Sequence, residues 1–158
     1  MAIWPVRSGM LRMYRVRLWS VRHSRQMEWA YNAFNPAVVK VLRGVVKVFG
    51  HRLDKPITKA EALTKGLLFD CQMCGDCALS RTGMSCPMNC PKTLRNGPCG
   101  GVREDGHCEV KPEMRCVWVA AWDGASRMKH GDAIREVQFA LDHRLKGQSS
   151  WLKLARDD

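Results

Sequence analysis

Eight cysteines are the residues of this 158-residue chain whose type and spacing point most directly to chemistry. All of them lie between Cys71 and Cys116, and the series opens as Cys71-x2-Cys74-x2-Cys77. Such clustering argues against disulfides scattered to brace a fold and favours a site that collects thiolates. The candidate metal ligands are therefore Cys71, Cys74, Cys77, Cys86, Cys90, Cys99, Cys108 and Cys116.

The opening spacing favours iron–sulfur chemistry over zinc. Three thiolates spaced Cys-x2-Cys-x2-Cys wrap one face of a four-iron cluster, and the fourth ligand comes from elsewhere in the chain. Zinc sites more often use two separated cysteine pairs. Cys86 and Cys90 are each followed by proline, as is typical of the remote ligand in cluster-binding ferredoxins.

Eight thiolates divide into two sets of four, so we expect two 4Fe-4S clusters. One cluster plus zinc is the first alternative, and zinc alone or disulfides is the second. We expect Cys71, Cys74 and Cys77 to share one site with a later cysteine, and the spacing leaves the other grouping open. The negative charge of two clusters would be balanced by the basic residues among the cysteines, which are Lys92, Arg95, Arg103, Lys111 and Arg115.

The residues before the cysteines predict a basic helical arm. Residues 1–53 contain ten basic residues and one acidic residue, and so hold most of the net charge of +11. Apolar residues recur at helical spacing in 8–26, and Asn35 followed by Pro36 predicts the start of a second helix. We expect this arm, residues 1–57, to dock on a partner or on the rest of the chain. Peripheral membrane contact is the alternative, and nucleic acid is the least favoured ligand because a basic surplus alone is not a reading motif.

Further helices are expected on both sides of the cysteines. Thr58 can cap a short helix directly before them, with Glu61 completing a capping box. After them, residues 117–129 predict a helix, and Asp132 is the expected cap of another that ends near Lys146. The cysteine segment itself is rich in proline and glycine without a sustained period, which predicts irregular loops held by metal.

These patterns predict a mainly α-helical protein with an irregular, cysteine-rich, metal-stabilised core, built as a small single domain plus a helical N-terminal arm. The arm is followed by a cysteine-rich metal or iron–sulfur domain at 58–130 and by a C-terminal helix with a docking tail at 131–158. No signal-peptide pattern and no apolar run of about 20 residues occurs, so we expect a cytoplasmic protein. Because no glycine-rich nucleotide motif occurs, any flavin is expected on a partner.

Four stretches of the cysteine region together resemble a known family. They are CQMCGDC from Cys71, TGMSCPMNCPK from Thr82, LRNGPCGGVR from Leu94 and CEVKPEMRCVW from Cys108. They are closely similar to the C-terminal domain family of methylenetetrahydrofolate reductase, the small cysteine-rich subunit found beside, or fused to, a flavin-binding reductase barrel. The stretch RLKGQSSWL from Arg144 also resembles the family's tail, so the resemblance covers roughly residues 65–152.

The resemblance implies a subunit rather than a solitary enzyme. In such pairs the large subunit is a flavin-containing barrel that reduces methylene-tetrahydrofolate to methyl-tetrahydrofolate, and the small subunit carries iron–sulfur clusters, sometimes zinc. We therefore expect a non-catalytic iron–sulfur subunit that relays electrons to, and braces, the flavin-containing reductase subunit in a hetero-oligomer. The alternative is a structural adaptor with zinc or a redox-silent metal, which stabilises the reductase or tethers it to a methyltransferase or demethylase system.

Overall fold

The computed structural model describes residues 8–156 of the chain, with side chains from residue 15 onward. In this range the chain forms five α-helices, which are α1 (Ser8–Arg22), α2 (Ser24–Phe49), α3 (Asp54–Phe69), α4 (Val117–Ala125) and α5 (Ser150–Arg156). Short 3₁₀-helices lie at Pro87–Asn89, Gly131–Arg135 and His143–Leu145. No strand forms among the described residues, so the prediction of a small, mainly α-helical domain is confirmed. The first seven residues of the predicted arm lie outside the described range.

Buried hydrogen bonds join the first two helices to the rest of the fold. α1 packs against α3 and α4, while α2 packs against α5. Ser20 in α1 donates to the carbonyl of Leu68 near the end of α3 at 2.7 Å. Ser24 in α2 donates to the carbonyl of Gly124 in α4, also at 2.7 Å. Both serines have no exposed surface, so these contacts fix α1 and α2 against the elements that flank the cysteines.

The second helix begins earlier than Asn35 and Pro36 predict. α2 runs without interruption from Ser24 to Phe49, with Pro36 inside it. An internal proline removes one helical hydrogen bond, but the turns before it are held by tertiary contacts of the buried Ser24 and Glu28. These contacts, which involve residues a hundred positions away, override the local start signal.

The α4 helix begins at Val117, as predicted, but ends at Ala125 rather than at residue 129. The reason lies in α2, where the carboxylate of the buried Glu28 accepts the backbone N–H groups of Lys129 at 2.6 Å and of His130 at 2.9 Å. These two N–H groups are therefore not available to extend α4.

No helix within residues 8–156 is long and apolar enough to cross a bilayer.

Two further predicted helix starts are wrong. α3 begins at Asp54, so Thr58 does not cap it and Glu61 lies in its interior instead of in a capping box. The Glu61 side chain is only 1% exposed and accepts a hydrogen bond from the Ser149 hydroxyl, far along the chain. Glu61 therefore forms a tertiary contact with Ser149 instead of capping the start of the helix.

The helix predicted from Asp132 to Lys146 is also wrong, because only two 3₁₀ turns form there. Between them, Asn96 exchanges two hydrogen bonds of 2.8 Å with the backbone N–H and carbonyl of Gln138. A helix would need both of these backbone groups for itself. The apolar side chain of Val137 in this stretch is 80% exposed.

The C-terminal segment holds the first cysteine loop in place. Gly75 has a φ of +77°, and a side chain there would collide with the carbonyl of Leu145. Glycine is therefore required both for its conformation and for the close approach. Next to this contact, the Gly147 N–H donates to the carbonyl of Met73 at 2.7 Å.

The loop before Cys86 lies directly on α4. Gly83 in the loop and Gly124 in the helix approach so closely that a side chain on either would collide with backbone of the other segment. Ser85, with no exposed surface, donates to the carbonyl of Val117 at 3.1 Å. This packing fixes the position of Cys86 relative to the helix.

Candidate metal centre

Four of the eight cysteines line one cavity, which we call the first site, and they are Cys71, Cys74, Cys77 and Cys86. The first three belong to the loop that follows α3, and the fourth precedes the 3₁₀-helix Pro87–Asn89. The spacing had left the later partner of the Cys-x2-Cys-x2-Cys loop undetermined. The structure places Cys86 with that loop and puts Cys90 in a different cluster of buried side chains.

The thiols of the first site affect one another's ionisation. Burial raises the pKa of Cys86 to about 12, and the neighbouring Cys71, Cys77 and Cys74 contribute to the increase. Burial also raises the pKa of Cys71, while the N–H of Met73, 3.4 Å from its sulfur, acts in the opposite direction. A metal that takes these groups as thiolates must displace their protons, so metal affinity falls as the pH falls.

A buried ion pair forms one wall of the first site. Glu61 and Lys65 lie one turn apart on α3, line the cavity and are joined by a 2.6 Å contact. Lys65 also donates to the Ser150 hydroxyl at 2.8 Å and lies 5.0 Å from the ring centre of Trp151. Burial by itself would lower the pKa of Lys65, but Cys77 and Glu61 hold it above its usual value. The ammonium group is therefore charged at neutral pH beside the thiols.

Arg95 contributes a second cation to the wall of the same cavity. Its two terminal nitrogens bind Asp76, one at 2.7 Å from the carboxylate and the other at 3.2 Å from the backbone carbonyl. Its third nitrogen, Nε, is buried and has no hydrogen-bond partner among the described residues. A buried donor without an acceptor is costly, and sulfur carrying negative charge in this cavity would supply an acceptor.

The second set of cysteines lies around the N-terminal end of α4. Cys116 immediately precedes this helix, and Cys90 packs with it in a buried cluster that includes Trp118. The indole N–H of Trp118 donates to the carbonyl of Leu94 at 3.3 Å, which attaches the loop after Cys90 to the helix.

Lys92 connects the remaining two cysteines of this set. Its ammonium group lies 3.7 Å from the sulfur of Cys99 and also contacts the carboxylate of Glu109, the neighbour of Cys108. The N–H of Cys108 donates to the carbonyl of Met114 at 3.0 Å, which folds the chain back toward Cys116. All four cysteines of the second set thus lie on loops that meet beside α4.

The donor chemistry of the first site suits a thiolate-bound metal group. Four cysteines face one cavity, two cations line it, and the buried Nε of Arg95 lacks an acceptor. The cavity volume is about 20 Å³, close to that of one water-sized sphere, so a four-iron cluster would require the four side chains to move apart. Within residues 8–156, no group of three or more His, Cys, Asp or Glu side chains is arranged to hold one metal ion. That the eight cysteines are metal ligands stays a prediction.

Sequence reasoning missed the buried pair of Glu61 and Lys65. A Glu–Lys pair four residues apart is ordinarily a solvent-exposed stabiliser of a helix. The spacing was visible, but the burial depends on Ser149, Ser150 and Trp151, which are distant in the sequence. Arg95, in contrast, was expected near the cysteines, and it lines their cavity.

The first site reaches the protein surface at Cys77, which is the exposed cysteine of the eight. Cys77 lines an open groove of about 530 Å³ together with aromatic side chains from three segments, which are Tyr31, Phe139 and Trp151. Basic side chains in the same groove include Arg81, Arg95 and Lys153. The groove therefore offers a large, partly apolar and basic surface beside the thiols.

Comparison with known proteins places the chain in a family. Residues 51–144, more than half of the chain, match the family model described as methylene-tetrahydrofolate reductase C terminal. The matched range contains α3, α4 and all eight cysteines and ends before α5. No curated protein and no solved structure matches the chain. As its cysteine motifs predict, the chain belongs to the methylene-tetrahydrofolate reductase C-terminal family.

Proposed function

We propose that this chain is an iron–sulfur subunit of a methylenetetrahydrofolate reductase complex, which relays electrons to a flavin-containing reductase subunit and braces it. Membership of the family associates the chain with this reductase. The observation that carries the finer proposal is the cavity shared by Cys71, Cys74, Cys77 and Cys86. Four thiolates are the usual ligands of a 4Fe-4S cluster, which supplies electron-transfer chemistry when bound.

The residues of the first site have complementary tasks in this proposal. The four cysteines would hold the metal group, with Cys86 buried and Cys77 at the surface. Arg95 would stabilise the negative charge of a group ligated by thiolates, whereas the charge of Lys65 is compensated by Glu61. Cys90, Cys99, Cys108 and Cys116 would hold a second cluster. We assign no catalytic residue to this chain and place the reduction of the folate on the partner.

The location proposed for this complex is the cytoplasm. Cysteines that bind metal must be in the reduced form, which a reducing compartment maintains. Metal binding by these cysteines is favoured where disulfide formation does not compete for the thiols.

Metal and redox analysis tests the proposed function. The full chain, purified anaerobically with its reductase partner, is expected to contain about eight irons, the number in two four-iron clusters. Dithionite should change its visible absorption and produce an electron paramagnetic resonance signal. Zinc without iron, or iron that never changes its redox state, would overturn the electron-relay proposal.

One observation favours the structural adaptor as a second candidate. The first site has a volume of about 20 Å³, so a single zinc ion would require the four cysteines to move apart less than a cluster would. Four thiolates around one zinc make a closed site that contributes to folding. The adaptor predicts stoichiometric zinc and loss of structure upon chelation, with no response to dithionite.

We propose that the reductase subunit docks at the groove beside Cys77, next to the first site. Phe139 and Val137 next to it are 88% and 80% exposed, although large apolar side chains favour burial. The segment that carries them is held by the hydrogen bonds between Asn96 and Gln138, so it is presented in a fixed position. An interface here would place the partner directly at the exposed cysteine of the first site.

We therefore expect Phe139→Glu to weaken the complex with the reductase subunit. We place Phe139 among the few hot-spot residues of the interface, whose removal costs about 2 kcal/mol or more, so the dissociation constant should rise roughly thirtyfold. Because Phe139 is 88% exposed, the variant should keep its fold and its metal content. Analytical ultracentrifugation or biolayer interferometry with the purified reductase measures the change.

Phe49→Glu is the matched control for this prediction. Phe49 is also exposed, at 51%, but it lies at the far end of α2 and not in the groove. We expect its affinity for the reductase to stay unchanged. Strong weakening by the Phe49 variant alone would locate the interface on the N-terminal arm and contradict docking at the groove.

A further inference from the structure

We infer that Arg95 donates its Nε–H to sulfur at the first site and, through its charge, determines how readily that site accepts an electron. The inference rests on the proposed function and extends it to a residue that is not a ligand. Arg95 is a positioning residue in this sense, because it acts on the metal group through the ligating sulfur.

The backbone on both sides of Arg95 is held firmly. The carbonyl of Leu94 accepts the indole N–H of the buried Trp118 at 3.3 Å. The side chain of Asn96 makes two hydrogen bonds of 2.8 Å with the backbone of Gln138. The backbone of Arg95, which lies between these two residues, is therefore held beside the cavity by three hydrogen bonds.

The guanidinium group of Arg95 is held as well. Its terminal nitrogens bind the carboxylate and the carbonyl of Asp76, which lies between two ligand candidates, Cys74 and Cys77. The arginine side chain is only 11% exposed. These contacts use two of the three nitrogens, and the third, Nε, is the buried donor that has no partner among the described residues. The cavity that Arg95 lines contains four cysteine sulfurs as possible acceptors, while the side-chain oxygens of Glu61 and Ser150 in the same wall already bind Lys65.

The net positive charge around the first site comes from the group of side chains that includes Arg95. Glu61 and Lys65 form a buried pair whose charges cancel. The carboxylate of Asp76 is shared between Arg95 at 2.7 Å and Lys153 at 3.3 Å, so that group of three side chains has a net positive charge. Positive charge and hydrogen bonds at sulfur stabilise the reduced, more negative state of a cluster and raise its reduction potential.

The test compares Arg95→Gln with wild type in the anaerobically purified complex with the reductase. Iron per chain is measured first, and the reduction potential is then determined by a dithionite titration followed by electron paramagnetic resonance. We expect Arg95→Gln to lower the ratio of reduced to oxidised first site at a fixed potential by at least tenfold, which is about 59 mV for a one-electron couple. Arg95→Lys, which keeps the charge, is expected to recover part of that change.

Arg135→Gln is the matched control, because Arg135 is exposed and does not line the cavity. The reduction potential of the first site in Arg135→Gln should equal that in wild type. If Arg95→Gln loses its iron, the decision rests on Arg95→Lys. Full iron content and an unchanged potential in both Arg95 variants would overturn the inference while leaving the proposed function intact. A wild-type complex without redox-active iron would overturn both.

Discussion

Replacing Cys86 by serine is expected to remove about half of the iron bound by the chain, while the helical fold remains. Cys86 is 6% exposed and lies in the cavity with Cys71, Cys74 and Cys77. Serine is close to cysteine in size but is a poor ligand for iron, so the change should affect binding more than packing. Only the cluster of the first site should be lost, since the other four cysteines lie around the start of α4.

Pairs of substitutions then show which cysteines share a site. Two ligands of the same cluster act as a unit, so Cys71→Ser with Cys86→Ser should lose no more iron than either change alone. Cys86→Ser with Cys108→Ser affects both proposed sites and should lose nearly all of the iron. Iron content and the electron paramagnetic resonance spectrum of each variant measure this directly.

The reverse pattern would refute the grouping. If the pair at Cys71 and Cys86 removed all of the iron, and the pair at Cys86 and Cys108 removed only half, then Cys86 and Cys108 would belong to one site. Circular dichroism of each variant separates loss of a ligand from loss of the fold. The far-ultraviolet signal is dominated by helices such as α2, whose 26 residues lie outside the cysteine region.

The cysteine pattern was sufficient to predict the family. The spacing from Cys71 to Cys77 is local, and the three cysteines of this loop line one cavity. The fourth member of that cavity was not predictable, because Cys86 and Cys90 are both followed by proline. What distinguishes them is packing. The hydrogen bond from Ser85 and the close backbone approach at Gly83 hold the loop before Cys86 against α4.

Helix boundaries were predictable only where local signals agree with long-range contacts. Val117 starts α4 as expected, but the end of the same helix depends on Glu28, a residue about a hundred positions earlier. The expected helix after Asp132 fails because Asn96 takes the backbone groups of Gln138. Propensity and periodicity contain no information about such partners.

Replacing Glu61 by glutamine is expected to cost about 3–5 kcal/mol of unfolding free energy, the usual effect of removing one partner from a buried ion pair. Lys65 would keep its charge, 7% exposed, without its carboxylate 2.6 Å away. The hydroxyls of Ser149 and Ser150 would lose a charged acceptor, which also loosens the start of α5. Urea unfolding followed by circular dichroism measures the loss, and Glu136→Gln, at an exposed position, is the matched control.

The pH dependence of the unfolding free energy lost in Glu61→Gln tests whether the ion pair causes the loss. Burial by itself would raise the pKa of Glu61, but Lys65 and the serine hydroxyls hold it below its usual value. Its carboxylate therefore stabilises the fold fully above the normal carboxyl range, and this contribution is lost as the pH falls through the lowered pKa. The difference in unfolding free energy between wild type and Glu61→Gln should be largest near neutral pH and should become smaller in acid. Adding Lys65→Met to Glu61→Gln should recover part of the stability, because no charge then remains unpaired. A gap that is independent of pH and not reduced by the second change would mean that packing, and not charge, holds α3 against α5.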